Sequence, residues 1–438
     1  MVAAAPAVIE VAPGGALRGR VLVPGDKSIS HRAAILAALA AGTSRIHGAL
    51  DSDDCRATLA ALAACGIRHA LRPDGVLEVE GGGWRAPTGV LDLGNSGTGL
   101  RLLAGALASR PFAATLVGDA SLSRRPMERI AAPLRAMGAE VECTVGTPPL
   151  RVHGRARLRG IAWRPEVASA QVKSAILIAG LAAEGEVAVF EPVATRDHTE
   201  RLLRAFGAGC TRDGEWVRLG ERRALQATQI AVPGDLSSAA PFIVGAAMTP
   251  GSELVVEGVG LNPTRCGVLE ALAAMGADLE VTRDPGADAF EPVGRVVVRG
   301  RELVACDIGG ALAANAIDEL PLLMVAAAGA RGTTRLRDAS ELRHKESDRL
   351  AVLAAGLAAL GVRVELAADG LDVHGGRLRG GAVDAAEDHR LAMAFAIAAL
   401  RAERPVTVHG AATIPTSFPS FLRAARDAGL RLSVEVAA

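Results

Sequence analysis

The apolar and polar positions along the chain predict two kinds of helix. The first kind is amphipathic and ends in a glycine followed by a short strand. It ends at Gly66, Gly138, Gly207, Gly276, Gly361 and Gly429, at spacings of 72, 69, 69, 85 and 68. Glycine suits the left-handed position just after a helix, where a Cβ would clash. Leu350, Leu353, Leu357 and Leu360 make one apolar stripe, and Leu202, Leu203 and Phe206 make another. The second kind starts near Ser28, Ser96, Ser169, Ser237, Ile317 and Asp388, at spacings of 68, 73, 68, 80 and 71. Beyond its first turn it is apolar nearly all round, as in Ala33–Ala41, Ala175–Ala183 and Leu391–Leu400. A helix apolar on every side belongs in a core. Strands are expected at Gly185–Phe190, Glu253–Gly258 and Pro405–His409.

The repeating unit is about seventy residues: buried helix, strand, amphipathic helix, glycine, strand. It occurs six times. A longer repeat overlies it: Val23-Pro24-Gly25-Asp26-Lys27-Ser28 returns as Val232-Pro233-Gly234-Asp235-Leu236-Ser237, 209 residues on. The chain therefore reads as a duplicated half of three units, giving two similar α/β domains with helices inside a sheet wall.

Composition narrows the function. The 438 residues carry 48 Lys+Arg and 48 Asp+Glu, so no net charge pulls the chain toward nucleic acid or an anionic membrane. With 8 Phe, 3 Trp and no Tyr there is little for a base-stacking platform. Uncharged apolar runs such as Ala33–Gly42 are near ten residues, short of the ~18 needed to span a bilayer. Met1–Leu17 holds no Lys or Arg, unlike the basic start of a signal peptide, so export is not expected. Cys55, Cys65, Cys143, Cys210, Cys266 and Cys306 are scattered, a spacing that offers neither a zinc site nor a disulfide framework.

The buried helices hold their polar residues at their starts: Lys27-Ser28-Ile29-Ser30-His31-Arg32, Asn95-Ser96-Gly97-Thr98-Gly99-Leu100-Arg101, Ser169-Ala170-Gln171-Val172-Lys173, Asp318-Glu319 and Asp388-His389-Arg390. Helix N-termini favour anions, but each supplies only ~0.3–1 kcal/mol when exposed. Lys and Arg must do the rest, at ~1.5–3 kcal/mol for each charge-assisted bond. Lys27, Arg32, Arg101, Arg125, Arg196, Lys345, Arg349 and Arg390 are the candidates, for a small, multiply anionic ligand. Gly94-Asn95-Ser96-Gly97-Thr98-Gly99 lacks the Lys-Ser/Thr of a nucleotide-binding P-loop. His47, His69 and His153 stand alone, and Glu140, Glu142, Asp278 and Glu280 read as solvated strand residues. The alternating run Arg151–Arg164 fits an exposed strand.

These segments together resemble the 5-enolpyruvylshikimate-3-phosphate synthases (3-phosphoshikimate 1-carboxyvinyltransferases) of the enolpyruvyl transferase family. The resemblance spans the chain. It also takes in Gly118-Asp119-Ala120-Ser121-Leu122-Ser123-Arg124-Arg125-Pro126-Met127, Thr195-Arg196-Asp197-His198-Thr199-Glu200 and Lys345-Glu346-Ser347-Asp348-Arg349. It implies two inside-out α/β domains, each of three βαβαββ repeats, with the active site in the interdomain cleft. The Pro-Gly-Asp segments would be the crossovers, so residues 1–23 plus 234–438 form one domain and 24–233 the other.

The implied reaction transfers enolpyruvyl from phosphoenolpyruvate to the 5-hydroxyl of shikimate 3-phosphate, through a tetrahedral intermediate, with no metal or organic cofactor. On this resemblance Asp318 is the base, and Glu346, with Lys27, protonates the methylene carbon. Phosphoenolpyruvate falls to Lys27, Arg125, Gln171, Glu346, Arg349 and Arg390, with Asn95, Gly97 and Thr98 lining the cleft. Shikimate 3-phosphate falls to Lys27, Ser28, Arg32, Ser169, Ala170, Gln171, Arg196, Asp318 and Lys345. Arg101 stays open between ligand contact and support. Ligand-driven closure, a monomer and a cytoplasmic location are also expected, with no nucleic-acid or membrane partner.

The chain departs from the family's pattern where a Tyr would face the shikimate ring, at Thr416 in place of a Lys, and at Glu341 in place of an Asn. The inhibitor glyphosate occupies the phosphoenolpyruvate pocket in this family, and the small Gly97 predicts sensitivity to it. Two rivals are weaker. The sister transferase acting on UDP-N-acetylglucosamine carries a loop Cys that Ser121–Met127 lacks. A non-catalytic repeat protein would not need intact Asp318, Lys345, Glu346 and Arg390.

Overall fold

The computed structural model describes residues 8–285 and 290–435. Its helices follow the predicted alternation. They are α1 (Lys27–Leu39), α2 (Asp53–Ala64), α3 (Gly97–Ala108), α4 (Glu128–Ala136), α5 (Ala170–Gly180), α6 (His198–Ala205), α7 (Leu236–Ala247) and α8 (Gly267–Ala274). After a short helix that the periodicity does not indicate, α9 (Gly310–Asn315), come α10 (Leu320–Gly329), α11 (Arg349–Ala359), α12 (His389–Ala398) and α13 (Phe421–Asp427). The six helix-ending glycines all have positive φ, from +82° at Gly276 to +106° at Gly429, the region closed to most side chains. The buried helices begin at side-chain caps: Asp26 accepts from the Ile29 amide, Ser96 from Gly99, and Ser169 from Val172. Such caps contribute ~0.5–2 kcal/mol each.

Among the described residues, six four-stranded sheets share one plan, a parallel pair followed by two antiparallel neighbours. In one, Leu91–Asp92 runs parallel to Ala113–Val117, which pairs antiparallel with Thr147–His153, and that strand with Glu140–Thr144. Three sheets borrow a distant strand, one of them Arg18–Leu22, which runs parallel to the strand from Glu253. Gln229–Ala231 runs parallel to Gly42–His47, and Val8–Val11 sits antiparallel between Val406–His409 and Leu432–Glu435. The expected strand Gly185–Phe190 is shortened to Val187–Phe190, because Gly185 turns the backbone at φ +87° after the short strand Ala183–Glu184. The strand from Glu253 runs on to Gly260 across an irregularity between Val256 and Val259.

The chain forms two compact units. One holds residues 8–24, 233–285 and 292–435; the other holds Gly25–Val232 with Phe290 and Glu291. Within the second unit α1, α3 and α5 are buried; within the first, α7, α10 and α12 are. Their alanines and glycines permit close approach. A Cβ on Gly105 of α3 would lie 2.5 Å from the Ala175 carbonyl oxygen of α5. Leu36, Leu103, Ile176, Phe242, Leu323 and Phe395 fill the two cores. Each such side chain contributes ~1.5–3 kcal/mol on burial. No helix among the described residues is long and apolar enough to cross a membrane.

One helix start differs from expectation. The fifth buried helix begins at Leu320 rather than near Ile317, with Glu319 as its cap residue. Pro321 has no N–H to donate and fits only the first turn, which sets the start there. Asp318 and Glu319 thus stand just outside the helix. Lys345 and Glu346 likewise precede α11, whose cap is Asp348.

Candidate active site

In the first unit the starts of α10, α11 and α12 bring five of the predicted residues together. Asp318 is nearly buried, and its Oδ1 accepts from Lys345 Nζ at 3.3 Å and Arg349 Nη1 at 3.3 Å. Arg390 Nη2 lies 3.7 Å from Asp318 Oδ2. Glu346 Oε2 accepts from the other end of the same guanidinium, Arg349 Nη2, at 2.5 Å. Arg349 is 1% exposed in its side chain. Burial alone would lower its pKa, but Asp388, Glu346 and Asp318 outweigh burial and hold it well above the ordinary value.

Two residues outside the predicted set organise this cluster. Asp388 takes Arg349 Nε on Oδ2 at 2.7 Å and Nη2 on Oδ1 at 3.2 Å, and caps α12 at the Arg390 amide. Glu319 is fully buried, 3.6 Å from Arg390 Nη1, and accepts from the Ser237 hydroxyl. Arg265, also buried, donates to that hydroxyl and to Asp235. The sequence signal for both was present: each is an acid immediately before a buried helix that is apolar beyond its first turn.

The second unit gathers its polar groups at the starts of α1, α3 and α5. Arg125 donates to the Asn95 carbonyl at 3.2 Å and to its side-chain Oδ1 at 2.7 Å. Gln171 donates to Thr98 Oγ1 at 2.8 Å and accepts from Arg101 Nη1 at 2.6 Å. Arg101 also donates to the Pro126 carbonyl, so its guanidinium supports two neighbours of the site. A Cβ on Gly97 would stand 3.0 Å from both Arg101 Nη1 and Arg125 Nη1. Lys27 pairs with Asp54 at 2.9 Å. Ser169 caps α5, and Ala170 is its first residue.

Arg32 lies deeper than its neighbours. It is 2% exposed and donates to Thr199 Oγ1 at 2.8 Å, Ser174 Oγ at 3.0 Å and the Ser28 carbonyl at 2.9 Å. Arg196 sits in the loop before α6. His31 is buried between Thr58 Oγ1, 2.9 Å from Nδ1, and Ser96 Oγ, 3.4 Å from Nε2. Burial first, then Lys27 and Arg32, push its pKa down to about 3, so it is neutral.

Among the described residues, Asp197, His198 and Glu291 have possible metal-ligand atoms within 4.8 Å of one another. Arg201 already supplies a cation there. Its Nε is 2.8 Å from one Asp197 oxygen and 3.8 Å from Glu291, and His198 bonds Glu291 at 2.6 Å. The group is an ion-pair cluster.

This duplicated six-repeat α/β scaffold is that of the enolpyruvyl transferases. The structure of the enolpyruvyl transferase NikO from Streptomyces tendae matches it with a TM-score of 0.79, over 99% of this chain and 100% of that one, at 20% identity, a likeness of fold. Closer matches define the branch. A family model described as EPSP synthase (3-phosphoshikimate 1-carboxyvinyltransferase) covers residues 11–424. The 3-phosphoshikimate 1-carboxyvinyltransferase of Methylococcus capsulatus is 50% identical over 98% of both chains. That of Acidithiobacillus ferrooxidans is 52% identical over 97% of this chain and 98% of the relative. The EPSP synthase structure from Acinetobacter baumannii has a TM-score of 0.86 at 44% identity, over 98% of this chain and 99% of that one. The chain belongs to the EPSP synthase family.

Proposed function

We propose that the chain transfers the enolpyruvyl group of phosphoenolpyruvate to the 5-hydroxyl of shikimate 3-phosphate and releases phosphate. One observation carries the reading: Asp318 stands among Lys345, Arg349 and Arg390, with Glu346 on the same Arg349 guanidinium. Family membership supplies the substrates; this cluster supplies the acid–base chemistry.

In the addition step the 5-oxygen bonds to C2 of phosphoenolpyruvate. The hydroxyl proton passes to Asp318, and C3 gains a proton from Glu346, assisted by Lys27. In the elimination step the bond from C2 to the phosphate oxygen breaks. Phosphate leaves with the proton held by Asp318, and the C3 proton passes to Glu346, so both carboxyl groups return to their starting states. Cations around Asp318 oppose the charges that build up as these bonds change. General acid–base groups of this kind contribute ~10²–10⁴-fold each.

The remaining assignments divide by substrate. We assign phosphoenolpyruvate to Lys27, Asn95, Gly97, Thr98, Arg125, Gln171, Glu346, Arg349 and Arg390. We assign shikimate 3-phosphate to Lys27, Ser28, Arg32, Ser169, Ala170, Gln171, Arg196, Asp318 and Lys345. The domain carrying Asp318 and Glu346 is proposed as 1–23 plus 234–438, and the other as 24–233. A cytoplasmic setting is proposed from the six scattered, free cysteines.

The test is phosphate release from phosphoenolpyruvate with shikimate 3-phosphate or UDP-N-acetylglucosamine as acceptor. Release with shikimate 3-phosphate alone is expected. Release only with the UDP-sugar, or with neither, overturns the assignment.

A further inference from the structure

Lys173 lies four residues after Ser169 and two after Gln171, where a lysine invites reading as a phosphate ligand. The structure gives it a different use. Its side chain is 1% exposed, and its ammonium lies 2.7 Å from Glu191 and 2.6 Å from Glu200. It also donates to the Thr195 carbonyl at 3.5 Å. An ammonium has three donors, and three acceptors surround this one. Burial would lower its pKa, but Glu200 and Glu191 outweigh burial and raise it, so it is charged at neutral pH.

The partners matter because of where they sit. Glu191 directly follows the strand Val187–Phe190, Glu200 lies in the first turn of α6, and Thr195 lies in the loop between them. Thr195 is held twice: its hydroxyl donates to Glu191 and its carbonyl accepts from Lys173. Arg212 closes the group from outside, donating to the Glu191 carboxylate at 2.6 Å and to its carbonyl at 3.0 Å. The next residue, Arg196, therefore leaves a backbone whose position is set from α5.

We propose that Lys173 is a positioning residue that fixes the Thr195–Arg196 segment against α5 and thereby sets affinity for shikimate 3-phosphate. This rests on the assignment of Ser169, Gln171 and Arg196 to that substrate. The buried ammonium never meets the ligand. It holds the loop that carries Arg196 at a fixed distance from the helix that carries Gln171, so only one of the two substrates senses its loss.

The test is steady-state kinetics with each substrate varied in turn, on the full-length wild type, Thr195→Val, Lys173→Arg and Lys173→Met. Thr195→Val keeps the ion cluster and removes one tie. Its KM for shikimate 3-phosphate is expected to rise about tenfold, the loss of one hydrogen bond to a charged group. Its KM for phosphoenolpyruvate should stay within about twofold. Lys173→Met should show the same split, larger, and Lys173→Arg should recover part of it. Equal changes in both KM values, or a fall in kcat with the shikimate 3-phosphate KM unmoved, overturn the proposal. If Lys173→Met does not fold, Thr195→Val decides. A wild type inactive with shikimate 3-phosphate fails the functional reading itself. An active wild type with an unaffected Thr195→Val fails this proposal alone.

Discussion

At the start of α1 the chain reads Asp26-Lys27-Ser28, and at the corresponding start of α7 it reads Asp235-Leu236-Ser237. Both aspartates cap their helix, Asp26 at the Ile29 amide and Asp235 at the Ser237 amide, each at 2.9 Å. The residue between has diverged. Lys27 carries a charge to Asp54, whereas Leu236 is 2% exposed and part of the core. Duplication kept what the fold needs, a cap and an apolar helix, and released the position between for chemistry. The wider clusters differ likewise. The first unit sets Asp318 and Glu346 among cations; the polar groups of the second are largely amides, hydroxyls and guanidiniums. Proton transfer is thus assigned chiefly to the first unit, with Lys27 assisting from the second, and ligand grip largely to the second.

The largest break in that division should come from the carboxylates. Asp318→Asn and Glu346→Gln should each lower kcat by ~10²–10⁴-fold, with modest change in either KM. In the second unit, Thr98→Ala should instead act mainly through KM. A Thr98→Ala variant that lost kcat as severely would erase the contrast. Initial rates of phosphate release read both.

Making the two helix starts alike is the next test. Lys27→Leu copies the α7 sequence into α1. It removes a charge-assisted contact of ~1.5–3 kcal/mol, so kcat/KM for phosphoenolpyruvate should fall by ~10–100-fold. It leaves Asp54 without this partner, which a thermal melt will register as a small loss. An unchanged kcat/KM would place Lys27 outside the ligand's reach.

A smaller effect is expected at Gly97. The methyl of Gly97→Ala would sit 3.0 Å from two guanidinium nitrogens, tighter than ordinary contact, so Arg101 or Arg125 must give way. Crowding of this kind costs ~1–3 kcal/mol. Glyphosate inhibition should weaken about tenfold or more, and the KM for phosphoenolpyruvate should move less. Unchanged inhibition in Gly97→Ala refutes the steric argument.

Much of this was legible in sequence because it is local. A glycine after an amphipathic helix and an acid or serine before an apolar one are decided by a few neighbouring residues, and the sixfold spacing repeats the message. What could not be read depends on distant partners. The start at Leu320 is the exception, since Pro321 beside it is a local signal, whereas the short helix at Gly310–Asn315 has no periodicity to betray it. Lys173 and Lys27 are alike in sequence, each beside a serine at a helix start. Only tertiary structure shows that one is sealed behind Glu191 and Glu200 while the other remains partly accessible. Nor does anything local announce that Phe290 and Glu291 join the second unit, where Arg201 and His198 bind them.

His31 offers the finest probe, because it touches the second unit's geometry without a proposed part in the reaction. It ties α1 to α2 through Thr58 and stands 3.4 Å from the cap of α3 at Ser96. Its pKa is about 3 in the folded chain, against 6.5 for the ordinary group. The unfolded chain therefore binds a proton that the folded chain refuses between those values. Stability from this residue is fully present above about pH 6.5 and is lost as pH falls toward 3. The slope is at most ~1.4 kcal/mol per pH unit, and only part of it develops by pH 5. His31→Asn keeps a polar side chain and cannot titrate. Urea unfolding between pH 7 and 5 should show a flatter stability profile for His31→Asn than for the wild type. Parallel profiles would mean that the imidazole binds its proton as readily in the folded chain as in the unfolded one, and that its burial among the helix starts does not set this pH dependence.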